Sequence, residues 1–363
     1  MGIDLNRGIG LDRPFIKGLD LSERLYTDAV RPLLAESFPD LPYSAALIGP
    51  GSEVLGFDTP QSTDHDWGPR LQLFLKPADH GVKRQAVDDM LARQLPEKVC
   101  GYPTRFRRQG ERPHHGIDIL TVPAFFMGFL GFDPAGDISA IDWVSVPQQN
   151  LLMVTAGRVF HDGLGELTPL REKLAWYPRD VWLYLMAAQW QRIAQEEAFM
   201  GRCGQVGDDL GSRLLAGRQV HDLMRLCFLI ERRYAPYWKW LGTAFARLSC
   251  AVRLTPIFES LLAAASWQER QKHLAAACEC VAQMHNALGI TERLDTRVAP
   301  YYDRPFLVIH AGRFAEALYA EIESEEVRAL PMHLGAVDQF VDSTDALNYP
   351  ERFRGIWGGK PSA

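Results

Sequence analysis

Two aspartates one residue apart, Asp64 and Asp66, follow a Gly51-Ser52 pair, with eleven residues between Ser52 and Asp64. A third, Asp118, stands alone in the apolar run Gly116-Ile117-Asp118-Ile119-Leu120-Thr121-Val122. Side chains at i and i+2 of a strand share a face, so an extended segment from Asp64 to Leu75 would aim Asp64 and Asp66 the same way. A neighbouring strand carrying Asp118 would complete a three-carboxylate cluster. Like charges so close repel and push one carboxyl toward its neutral form unless cations occupy the cluster. Magnesium suits such a place, because it takes hard oxygen ligands, keeps some water and bridges carboxylates to phosphates. The feature therefore predicts phosphoryl or nucleotidyl transfer.

Charge and composition agree with that chemistry and narrow the partners. A chain of 363 residues, 47% apolar and 23% charged, reads as folded and is long enough for two domains, each with its own core. A net charge of -6 supplies no global basic field, which weighs against a long nucleic-acid footprint. No run approaches the roughly 20 apolar residues of a membrane span, and Met1 to Lys17 lacks the apolar centre of a signal peptide. The six cysteines show no CxxC spacing, which fits free, mostly buried thiols and a cytoplasmic location.

Along the chain, Leu21 to Phe38 has helical spacing and breaks at Pro39-Asp40-Leu41-Pro42. Tyr43 to Ile48 suits a buried strand, and Leu71, Leu73 and Leu75 alternate with Arg70, Gln72 and Phe74 in a second. A helix is expected from about Val82 to Gln94, then the strand with Asp118, short helices at Asp142-Trp143 and Asn150 to Val154, and a last strand from Ala156 to Phe160. From Leu167 every long segment reads as helix, with Trp182, Leu185, Met186, Gln189 and Ile193 on one stripe and Leu214, Met224, Leu226 and Cys227 on another. The expected class is α+β: a small mixed sheet in a domain of residues 1–165, an all-helical domain over 166–330 and an irregular tail over 331–363.

The combination Gly51-Ser52, Asp64-His65-Asp66-Trp67 and an isolated strand aspartate resembles the polymerase-beta-like nucleotidyltransferase superfamily over roughly residues 43–165. The ending Gly157-Arg158-Val159-Phe160-His161-Asp162 followed by helices is similar to antibiotic nucleotidyltransferases, whose helical second domain closes the cleft. Asp64 to Arg70 and Tyr234-Ala235-Pro236-Tyr237-Trp238-Lys239-Trp240-Leu241 resemble a bacterial branch known as a domain of unknown function, which brings no substrate with it. The resemblance implies that Asp64 and Asp66 hold two magnesium ions about 3.5–4 Å apart, with Asp118 on the ion nearer the acceptor. It further implies a triphosphate, ATP first among them, cradled by Gly51 and the Ser52 hydroxyl. The expected reaction moves an NMP group to a hydroxyl of a small molecule.

Other side chains compete for supporting roles. Arg70, four residues past Asp66, and Lys239, in an aromatic run, are the candidate triphosphate cations, each balanced against a solvated or cation-π reading. Glu231 is the candidate general base on the acceptor, with Asp208 and Asp209 as rivals and helix capping an equal explanation for Asp208. His65 reads as structural, and the tryptophans and tyrosines of Trp182 to Trp190 and Tyr234 to Trp240 as core. The competing class is a nucleotide-binding or antitoxin-like regulatory protein with little turnover; a protein side chain or RNA end is the less favoured acceptor.

Overall fold

A computed structural model describes residues 14–64, 67–106 and 114–358, with Asp64 described by its backbone alone. The chain is α+β and divides into two units, the first formed by Met1–Gly128 with Met153–Lys173, the second by Phe129–Leu152 with Leu174–Ala363. The division is therefore discontinuous. Residues 129–152, expected in the first domain, belong with the helices of the second.

In the first unit four strands, β1 (Tyr43–Leu47), β2 (Leu71–Leu75), β3 (Ile117–Leu120) and β4 (Arg158–Asp162), form a mixed sheet of order β3-β2-β1-β4. β1 runs antiparallel to β2 and β4, whereas β2 and β3 are parallel. A parallel pair needs a crossover. The connection here contains α3 (Pro77–Gln94), which starts where Pro77 fits the first helical turn. Helices α1 (Gly18–Leu25) and α2 (Arg31–Ser37), joined by a π-helical turn, precede β1.

Strand alternation decides what the sheet buries. Ala45, Leu71, Leu73, Leu75, Ile117 and Ile119 share one face and form a core with Leu21, Leu25, Leu34, Val87, Met90 and Leu91 from α1 to α3. The opposite face carries Ser44, Ala46, Gln72, Phe74 and Asp118. All five β2 residues are buried, because Phe125 of α4 (Val122–Leu130) covers Phe74 edge-on with ring centres 5.5 Å apart. Polar residues on that face survive burial by finding partners. The Gln72 amide donates to the Ile48 carbonyl and accepts its N–H, both at 3.1 Å.

At the end of β4, Asp162 accepts the Ser44 hydroxyl at 2.8 Å and the N–H of Thr168 at 2.8 Å, with weaker bonds from Glu166 and Leu167. It so caps α7 (Leu167–Lys173) and ties that helix to β1. Burial works to raise this carboxyl, but the hydrogen bonds from Thr168, Ser44 and Leu167 outweigh it and hold Asp162 below the ordinary range. A depressed folded-state pKa gives stability that is present above the unfolded value and lost as pH falls through the folded one. Asp162→Ala is expected to lower stability by about 1–2 kcal/mol at pH 7, and the gap to wild type should shrink below pH 4 in urea unfolding curves.

The second unit is mostly helical. α8 (Arg179–Glu196) is buried on nearly every side from Val181 to Trp190 and lies against α10 (Asp209–Ile230) and α14 (Gly312–Ala320). Trp190 stacks on Phe314 at 4.4 Å and donates to His285 Nδ1 at 3.2 Å, while Trp182 donates to the Leu229 carbonyl at 2.7 Å. These aromatics are core, as their helical spacing suggests. Leu214 is an exception to its predicted stripe: it is 68% exposed. The unit is also not purely helical, since Ala299–Pro300 and Leu307–Val308 pair as a short antiparallel ladder.

The described residues past 331 include short helical turns, and several of them pack into the second unit. Gln339 donates to the Leu185 carbonyl at 3.1 Å and to Gln189 Oε1 at 2.9 Å, Asp338 pairs with Arg225 at 2.7 Å, and Trp357 is buried. A run too short for a clear period folds into the core through amide and ion-pair contacts that hydrophobic spacing cannot signal. Among the described residues no helix is long and apolar enough to cross a membrane.

Candidate functional site

Topology gathers three segments at one end of the sheet. β1 ends at Leu47 and turns into Gly49-Pro50-Gly51-Ser52; β2 starts at Leu71 beside it; β3, parallel to β2, starts at Ile117 in register with Leu71. Asp118 stands opposite Gln72, whose amide holds Ile48 just before the loop. The loop, the start of β2 and Asp118 thus share one end of the sheet.

Asp118 itself is exposed, and its side chain makes no hydrogen bond or ion pair among the described residues. The sequence, with isoleucines on both sides, suggests a desolvated charge. Alternation removes the conflict: Ile117 and Ile119 face the core and Asp118 faces the other way on the edge strand. An unpaired hard carboxylate there fits a magnesium ligand by its donor chemistry.

For the other two aspartates the expected geometry changes. Pro60–Asp64 is a 3-10 turn, and the β2 ladder begins at Leu71, so Asp64 is not on the strand and the same-face argument from i and i+2 spacing does not apply to it. Asp66 and His65 lie outside the described residues, as does the Asp64 side chain. Among the described residues no three His, Cys, Asp or Glu side chains gather closely enough to hold a metal ion. The residue next in line, Trp67, is firmly anchored. Its Nε1 donates to Asp58 Oδ2 at 3.3 Å, and its ring stacks on Phe15 at 5.6 Å and meets the edge of Tyr102 at 5.3 Å. Asp58, itself buried, also accepts the Gly18 N–H at 2.7 Å and pairs with Lys17 at 3.3 Å.

Arg70 has a different task from the one its spacing suggests. Its guanidinium turns back on the loop, giving Nε to Glu53 Oε1 at 2.7 Å and Nη2 to the Pro50 carbonyl at 2.6 Å. Glu53 is 1% exposed and Arg70 22%, so this is an interior ion pair clamping Pro50 to Glu53. Gly51 serves the same clamp. Its φ of +141° disfavours a side chain, and a Cβ would come within 2.4 Å of Arg70 Nη2 and 2.6 Å of Glu53 Oε2. On the side where a Gly51 Cβ would point, the space is filled by the ion pair. Ser52 gives its carbonyl to the Phe57 N–H at 2.8 Å, and its hydroxyl bonds nothing among the described residues. That hydroxyl is a free donor on the loop.

In the second unit Glu231 closes α10, and its two oxygens accept the N–H groups of Ser249 at 2.7 Å and Cys250 at 2.8 Å. Those are the orphan donors at the start of α12 (Ala251–Ala263). Burial alone would raise this carboxyl, but the Ser249 and Cys250 amides outweigh it and hold Glu231 below the usual range. A carboxylate engaged at both oxygens and weakened as a base is a helix cap, which corrects its reading as a general base. Glu231→Ala is expected to lower stability by about 1–2 kcal/mol, while leaving any turnover per folded molecule unchanged; thermal unfolding beside a rate measurement checks both.

Lys239 is exposed and lies 5.1 Å from the Trp240 ring centre, the cation-π reading. Asp208 caps α10 through the Gly211 N–H at 2.8 Å, and Asp209 pairs with Arg213 and Arg270. Sequence reasoning missed Glu53, Asp58 and Gln72. Only their polarity inside apolar surroundings marked them, and that signal does not separate a loop clamp from a solvated turn.

Residues 143–241 match a family described as Domain of unknown function (DUF4037). The matched stretch contains Glu231 and Lys239 but none of Gly51, Asp64, Asp66 and Asp118. No curated protein and no solved structure matches the chain.

Proposed function

We propose that this chain is a magnesium-dependent nucleotidyltransferase of the polymerase-beta-like superfamily, moving an NMP group, AMP first, from a nucleoside triphosphate to a hydroxyl of a small molecule. The observation that carries the reading is the Asp118 carboxylate, without a side-chain partner among the described residues, at the sheet end shared by the Gly49–Ser52 loop and the start of β2; Asp64 and Asp66 come just before that start in sequence. Asp64, Asp66 and Asp118 would hold the metal. Magnesium bound there supplies charge neutralisation at the phosphoryl oxygens.

The protein's own part is positioning. The Ser52 hydroxyl donates to a phosphate oxygen from a loop already fixed by Gln72, Glu53 and Arg70, so little reorganisation accompanies binding. Asp118 takes up the proton of the acceptor hydroxyl as the new P–O bond forms, and pyrophosphate departs.

One observation favours the second reading, a nucleotide-binding regulatory protein with little turnover. Arg70 and Glu231, expected to serve catalysis, are already engaged by other groups. Calorimetry with ATP and magnesium, followed by pyrophosphate release against a panel of hydroxylated metabolites, separates the two. Binding with release is the expected result, binding without release selects the regulatory reading, and no binding removes both.

A further inference from the structure

The second unit holds a groove whose lining includes none of the residues assigned above. The short ladder Ala299–Pro300 and Leu307–Val308 is closed by a turn in which Tyr301 donates to the Phe306 carbonyl at 2.8 Å and Arg304 to the Tyr301 carbonyl at 3.0 Å. Helix α9 (Phe199–Gln205) lines a groove with that turn. The two are locked together by an apolar floor of Ala198, Phe306 and Val308, with Trp267 and Tyr301 against it. Gly201 permits the close approach, since a Cβ there would sit 2.7 Å from the Phe306 ring. Between helix and turn runs an open groove of about 370 Å³.

The lining brings two kinds of group together, aromatic rings and guanidiniums. Phe199 is 47% exposed and Tyr302 82%, and Tyr302 adopts a left-handed backbone (φ 55°), which is uncommon for an aromatic residue. The Tyr302 ring stands edge-on to Tyr301, 4.8 Å between centres. Arg202 has no ion pair and no side-chain hydrogen bond among the described residues, and Arg304 meets only Asp303, at 3.7 Å with both side chains in solvent. Such an exposed pair holds weakly, so both guanidiniums can turn to a ligand.

We propose that this groove binds a small planar aromatic ring bearing a single anionic group, a phosphate or a carboxylate. The ring lies against Tyr302 and Phe199 over the Phe306 floor, and the anion takes Arg202 and Arg304. The volume falls at the lower end for small-molecule sites, which suits a ligand of one or two fused rings. Asp303 at the rim disfavours a second anionic group.

The test uses the full chain and matched probes: 1-naphthyl phosphate, 1-naphthoate, uncharged 1-naphthol and inorganic phosphate, followed by calorimetry. Saturable binding of naphthyl phosphate, naphthoate or both is expected, with naphthol and inorganic phosphate at least about tenfold weaker, the value of one charged hydrogen bond. Which anion binds tells phosphate from carboxylate ligands. Arg202→Ala and Tyr302→Ala, both at exposed positions, should each weaken binding about tenfold with unchanged melting temperature. Failure of both charged probes to bind overturns the site, as does binding that neither substitution affects or that naphthol or inorganic phosphate equals.

Discussion

Asp118→Asn is expected to cut the proposed nucleotidyl transfer by about a hundredfold or more, and Asp64→Asn and Asp66→Asn should do the same. The substitution keeps size and removes one unit of charge. Because Asp118 is exposed and unpartnered among the described residues, stability should stay within about 0.5 kcal/mol of wild type. That separation makes the result informative. A second readout follows from linkage, since a ligand that binds only the native state raises stability with its concentration, by about 2.7 kcal/mol at a hundred times Kd. Wild type should melt higher with magnesium and a non-hydrolysable triphosphate, and the three variants should lose most of that gain. Full turnover in Asp118→Asn would remove the metal clamp.

Much of the fold was legible because hydrophobic period and turn chemistry act locally. Tyr43 to Ile48 and the leucines of β2 read as strands, and the observed strands are Tyr43–Leu47 and Leu71–Leu75. Ser266 to Leu288 reads as helix, and α13 covers Trp267–Ala287 with Ser266 and Glu269 forming a capping box. What stayed hidden depends on contacts far apart in sequence. Asp64 looks like a strand residue by spacing, yet Pro60 opens a 3-10 turn that ends on it. Residues 129–152 sit beside the sheet in sequence, yet they belong with the helices because the Gln148 side chain accepts the Ala235 N–H at 3.0 Å and Asp338 accepts the Gln148 N–H at 3.2 Å.

The same limit explains the site. Gly51, Ser52, Asp64, Asp66 and Asp118 were chosen for residue type and order, and among the described residues it is chain topology that brings the Gly49–Ser52 loop and Asp118 to one end of the sheet. Arg70 and Glu231 were chosen by the same reasoning, but each has an acceptor or donor that only the folded chain supplies. A charged side chain therefore reads as a candidate until its partner is known. Asp118, without a side-chain partner among the described residues, and Glu53, engaged by Arg70, show the two outcomes.

The largest stability effect should come from Arg70. Its guanidinium is the counter-charge of the buried Glu53 and also holds the Pro50 carbonyl, so Arg70→Ala leaves an uncompensated carboxylate in the interior. Breaking a buried pair from one side costs about 3–5 kcal/mol, far more than a surface pair is worth. Glu53→Gln, which removes the charge and keeps a hydrogen-bond acceptor for Arg70, should cost less, about 1–2 kcal/mol. The double variant Glu53→Gln with Arg70→Ala should therefore be more stable than Arg70→Ala alone, a sign of coupling that a double-mutant cycle in urea reads directly. If Arg70 instead served mainly as a phosphate ligand, its loss would raise KM for the triphosphate with stability intact, and the cycle would show no coupling. The clamp predicts the opposite pattern: lower stability, a strong interaction energy with Glu53, and rescue by removing the charge that Arg70 offsets.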